Sequence, residues 1–154
     1  MEQLIKYIAR TRALFVDIID TLTIEQLNAI PEGFNNNIAW NFGHIIVSTE
    51  GLCYLRSGVQ PGLKIPFGAR YTKGSKPEIF IEREELEALK QQSLRSLEQI
   101  RSDLERDVFK TITPYATQTY GFEMQNIEEI LTACLAHESL HYGTALALKK
   151  QLSQ

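Results

Sequence analysis

Residues 127–151, IEEILTACLAHESLHYGTALALKKQ, decide how this chain is read. Apolar residues recur at Ile130, Cys134, Ala145 and Leu148, in the three- and four-residue steps of a helix buried along one side. Asn126 is the expected N-cap. Glu128 and Glu129 stand in the first turn and Lys149 and Lys150 in the last, each where the helix dipole favours its charge. His137 and His141 fall on the same stripe, one turn apart. Side chains at i and i+4 share a face with Cβ atoms about 6 Å apart, so both rings can reach one ion. Burying two imidazoles without partners would cost about 2 kcal/mol or more each. The pair therefore points to a metal rather than to two unrelated core residues.

Three further segments have the same helical rhythm. Residues 2–21 place Leu4, Ile8, Phe15, Ile18 and Leu22 on one face. Residues 37–57 carry Ile38, Phe42, Ile45, Ile46, Leu52 and Leu55, and residues 82–106 carry Leu86, Leu89, Leu97, Ile100 and Leu104 amid charged and amide side chains. Four such helices in 154 residues predict an all-α fold, an antiparallel four-helix bundle with long loops forming one domain. Residues 23–36 include TIEQLNAI, which predicts an extra helical turn. Residues 58–80 are rich in Gly and Pro. Residues 111–125, with β-branched and aromatic side chains, predict a short hairpin.

The third and last histidine, His44, lies in NNIAWNFGH at residues 36–44. Helical spacing puts it on one face with Trp40, Val47, Gly51 and Leu55. If that helix packs against the last one, His44, His137 and His141 complete a set of three imidazoles with open coordination positions, the arrangement in which metals do chemistry. HESLH also fits H-E-x-x-H, which makes Glu138 a candidate general base. The further downstream ligand of that peptidase pattern is missing, because none of the thirteen residues after His141 is His, Asp or Glu.

Composition narrows the rest. A formal net charge of −3 gives no electrostatic footprint for nucleic acid or an anionic membrane, and no apolar run approaches the roughly 18 residues of a membrane span. The first fifteen residues alternate charged and apolar side chains and lack the apolar centre of a secretory signal. Cys53 and Cys134 sit on apolar helical stretches without basic neighbours. They read as buried, reduced thiols of a cytoplasmic protein.

NNIAWNFGH and the HESLHYG block at residues 137–143, at this separation, resemble the DinB/YfiT superfamily, and the likeness extends over nearly the whole chain. The resemblance implies a four-helix bundle with a divalent metal, commonly nickel or zinc, held by His44, His137 and His141. Characterised relatives include transferases that use low-molecular-weight thiols such as bacillithiol and mycothiol, and a thiol-dependent isomerase; homodimers are common. Many relatives carry Gln after the final H-x-G, where this chain has Thr144. The expected partners are thus a small-molecule thiol and an electrophile. Lys64, Arg70, Lys73 and Lys76 are candidates for an anionic group on such a ligand, and Tyr120 and Tyr142 for substrate contacts. Two alternatives stand beside thiol transfer: hydrolysis by a metal-bound water with Glu138 as base, and a bundle in which the ion only stabilises the fold.

Overall fold

A computed structural model describes residues 1–152. The element order is α1 (Glu2–Asp20), α2 (Ile24–Asn28), α3 (Ile38–Glu50), a π-helical segment (Gly51–Arg56), α4 (Gly68–Tyr71), α5 (Arg83–Glu105), β1 (Tyr115–Ala116), β2 (Glu123–Met124) and α6 (Ile127–Leu152). The fold is all-α. The two strands form an antiparallel hairpin, with Tyr115 opposite Met124 and Ala116 opposite Glu123. Helix α6 packs against α1 and α3, and α5 packs against the same two.

Local sequence sets the helix boundaries. Thr23 and Gln26 form a reciprocal capping box on α2, the extra turn expected between the first two long helices. Asn126 caps α6: its Oδ1 accepts from the Glu129 amide at 3.0 Å. Asn37 caps α3 through the Trp40 amide at 2.7 Å.

The expected unbroken helix over residues 37–57 is corrected by the structure. It runs as α-helix to Glu50 and then widens into the π segment. Carbonyls within that segment find donors outside it. Leu52 O accepts from Tyr115 Oη at 2.7 Å, Cys53 O from Ser57 Oγ at 2.5 Å and Tyr54 O from the Gln60 amide at 3.0 Å. Gly58, at φ 73°, turns the chain out of the helix.

Two apolar clusters fill the interior. One gathers Phe15, Ile18, Phe42, Ile46, Leu89 and Leu148. The other gathers Ile8, Cys53, Tyr54, Leu97, Ile100 and Cys134. On each long helix the change from one cluster to the other falls at buried polar residues: Arg12 on α1, Thr49 on α3, Ser93 and Ser96 on α5, Glu138 on α6. These residues bond to one another. Arg12 Nη2 donates to Glu138 Oε1 at 2.7 Å and its Nε reaches both carboxylate oxygens. Nη1 donates to Ser93 O at 2.8 Å and Ser96 Oγ at 2.9 Å. Thr49 Oγ1 donates to Glu138 Oε1 at 2.7 Å. Arg12 is 2% exposed and Glu138 0%, so each charge depends on the other for its solvation.

This layer corrects two expectations. The buried face of α6 runs through Ile130, Cys134, Glu138, Ala145 and Leu148, and the histidines flank it, partly exposed. Glu138, the candidate base, is turned into the core and fully committed to Arg12 and Thr49. Removing one partner leaves a bare buried charge: Arg12→Met is expected to lower unfolding free energy by about 3–5 kcal/mol. The double replacement Arg12→Met with Glu138→Leu is expected to recover most of that loss. Urea denaturation of the three proteins measures both.

Candidate metal centre

The NNIAWNFGH block builds one side of the site, and its residues have separable tasks. Asn37 caps the helix, and its carbonyl accepts from Asn41 Nδ2 at 2.7 Å. That bond fixes which way the Asn41 amide faces, so Oδ1 is presented to His141 Nδ1 at 2.6 Å. Trp40 stacks on the His44 ring, with centroids 4.6 Å apart and planes 11° from parallel, and its indole N–H donates to Ser75 Oγ at 3.1 Å. Gly43 lets α4 come close: a Cβ there would lie 2.5 Å from the Tyr71 ring. The proximity has a use, because His44 Nδ1 donates to the Tyr71 carbonyl at 2.7 Å.

These bonds determine the tautomers. A carbonyl and an amide oxygen only accept, so the Nδ1 atoms of His44 and His141 carry the protons and their Nε2 atoms present lone pairs. Ligand nitrogens of His44, His137 and His141 all lie within 4.8 Å of one another. Nε2 of His137 and of His141 are 3.2 Å apart. Two nitrogens on a tetrahedral zinc, each about 2.0–2.1 Å from it, stand about 3.3 Å apart. The donor set fits a borderline divalent cation, with outer carbonyls orienting two of the ligands.

Burial, with the neighbouring imidazoles adding to it, pushes the His137 pKa down to about 4 and that of His141 to about 3; burial also lowers His44. All three rings are therefore neutral near pH 7, the form that binds metal. His137 Nδ1 is buried with no hydrogen-bond partner.

The cluster borders a cavity of about 1180 Å3. Val47, Leu52, Leu55, Ile65 and Leu140 give it apolar walls. Ser48, Thr72 and Thr117 add polar side chains, and the hairpin connection over residues 116–120 borders one side. Among the expected ligand contacts, Tyr120 borders this cavity, with its hydroxyl buried and unpartnered. Tyr142 packs instead on Phe15, centroids 6.2 Å apart. Of the candidate cations, Lys73 lines the cavity. Arg70 is paired with Glu85, Lys76 faces a smaller separate pocket, and Lys64 borders neither. Arg56, which the sequence reading passed over, lines the large cavity. Thr144 turns its hydroxyl back to the Leu140 carbonyl at 3.1 Å. Glu138 does not border the cavity.

A family model described as the DinB superfamily matches residues 7–145. That is most of the chain, which belongs to this superfamily. No curated protein matched it.

Asn41→Ala removes the acceptor that orients His141 and is expected to weaken zinc or nickel binding by about 10–100-fold. Competitive titration against a chromophoric chelator measures it; an unchanged affinity would show that the amide orients nothing. The histidines also predict a pH effect on the metal-free protein. Their folded pKa values lie below the unfolded value near 6.5, so the unfolded chain takes up protons first. Stability should fall as pH drops from about 6.5 toward 4. Urea midpoints in chelator at pH 7 and pH 5 should differ more for the parent than for a His137→Gln, His141→Gln double variant.

Proposed function

We propose that this DinB-superfamily chain is a divalent-metal-dependent transferase that moves a low-molecular-weight thiol onto an electrophilic small molecule. The observation that carries the reading is three neutral imidazoles meeting at the wall of a cavity large enough for two small reactants. Among the described residues no fourth His, Cys, Asp or Glu joins the group. Structural zinc is normally closed by four protein ligands, whereas three leave positions for a ligand from solution.

A divalent cation on these ligands, nickel or zinc by donor type, would supply the positive charge that favours thiolate over thiol near pH 7. His44, His137 and His141 would hold it. Trp40 and the Tyr71 carbonyl keep the first of these rings from turning. The apolar walls hold the carbon skeletons of the reactants side by side and thin the water around them, so that encounter and orientation are set before reaction. In the transfer, the thiol proton passes to solvent and its sulfur bonds to the electrophilic carbon. The leaving group departs with the electrons of the bond that breaks. The cytoplasm, where such thiols stay reduced, suits both this chemistry and two free core cysteines.

Hydrolysis is the weaker reading, because the carboxylate it would use as base is held by Arg12 in the core. Protein loaded with nickel or zinc should conjugate a thiol to monochlorobimane above the uncatalysed rate, in a panel of cysteine, glutathione and bacillithiol read by fluorescence. His137→Ala and His44→Ala should both fall to background. Undiminished conjugation by His137→Ala, or turnover that needs no thiol, would overturn the proposal.

A further inference from the structure

We infer that Arg56, assisted by Lys73, forms an anion-recognition subsite in the histidine cavity, so that its ligand is a small amphipathic carboxylate. The inference rests on reading that cavity as the ligand site and adds the charge and shape of what enters it.

The π segment puts Arg56 there. An α-helix turns about 100° per residue, and a π-helix about 82° at roughly 4.4 residues per turn. Twelve α-helical steps from His44 would leave Arg56 about 120° round the axis, off the histidine face. With the last five steps in π geometry the offset falls to about 30°. Gly51, Leu52 and Leu55 stay within about 60° of the same direction, while Cys53 and Tyr54 turn into the core. The structure agrees: Gly51, Leu52, Leu55 and Arg56 line the cavity with His44, and Cys53 and Tyr54 are buried. The wider turn therefore brings a guanidinium and two leucines onto the ligand side of the helix.

The charge there is uncompensated. The chain has 19 Asp and Glu against 16 Lys and Arg, yet no Asp or Glu lines this cavity. Arg56 Nη2 donates to the Ala116 carbonyl at 3.2 Å and the guanidinium lies 5.0 Å over the Tyr115 ring. Among the described residues it makes no ion pair, and beyond the bond to Ala116 most of its five N–H donors remain free to bind. Lys73 meets the neutral Gln118 amide. Arg70, by contrast, has its charge met by Glu85. Two cations without counter-ions among the described residues, with Leu52, Leu55 and Ile65 on the same wall, match a ligand that carries a carboxylate on an apolar body. The planar guanidinium suits a carboxylate's two oxygens.

The test compares 4-phenylbutyrate with neutral 4-phenyl-1-butanol by isothermal titration calorimetry, on metal-depleted and on zinc-loaded protein. The acid should bind on the order of tenfold more tightly than the alcohol, and the preference should shrink as salt is raised. Arg56→Gln should abolish the preference while leaving the alcohol's affinity unchanged, Arg56→Lys should keep part of it, and Lys73→Gln should reduce it. Arg56 is exposed, so these variants should fold, with far-ultraviolet circular dichroism as the check. Equal affinities in the parent, a preference that survives Arg56→Gln, or no binding of either compound would overturn the inference. The metal-depleted arm separates the two readings: a lost acid preference there sinks the subsite alone. Conjugation that ignores the ion sinks the transfer reaction alone.

Discussion

The buried pair of Arg12 and Glu138 is the constraint on which the rest depends. Its two charges lie in the interior where the two apolar clusters meet, and neither can be solvated except by the other and by Thr49, Ser93 and Ser96. Apolar helix faces tolerate sliding and rotation, since one leucine contact replaces another at small cost. A guanidinium that must find one carboxylate, one carbonyl and one hydroxyl from two other helices does not. The polar layer therefore sets the relative height of α1, α3, α5 and α6 and the rotation of α6. With Glu138 locked inward, His137 before it and His141 after it are held to one side, toward α3. The candidate metal ligands are placed by a residue outside their cluster.

Helices were legible in the sequence because burial on one side imposes a period, and α1, α5 and α6 begin and end within a residue or two of where that period and its caps predict. The hairpin and the extra turn of α2 followed from residue types just as local. Convergence of the three histidines followed from their helical spacing, given that α3 and α6 pack together. The π segment was not legible. GLCYLR reads as ordinary helix, and the donors that meet its Leu52, Cys53 and Tyr54 carbonyls, Tyr115, Ser57 and Gln60, all lie outside the segment. For the same reason Arg56 escaped notice: on an unbroken α-helix it faces elsewhere. The carboxylate in HESLH misled because a motif gives neighbours in sequence. The stronger signal was Arg12, a cation on the apolar stripe of α1 that required a buried anion somewhere.

The NNIAWNFGH block shows how the histidine cluster is supported by residues outside it. Asn37 fixes Asn41, Asn41 fixes His141, and Gly43 makes space for the chain segment whose carbonyl fixes His44. Each bond removes a rotational freedom that would otherwise be lost at the moment of binding. The rings stay uncharged because burial disfavours the proton, and those of His44 and His141 remain directed because each outer oxygen can only accept.

The stack of Trp40 on His44 gives the protein an optical property. This is the chain's single tryptophan, so its indole emission arises from one side chain, in face-to-face contact with an imidazole of the cluster. A stacked imidazole draws electron density from an excited indole when it is protonated or holds a cation and much less when it is neutral and free, so the quenching follows the ring's charge and whatever it coordinates. Light emitted from the intact, unlabelled protein is thus a local gauge of occupancy at the cluster.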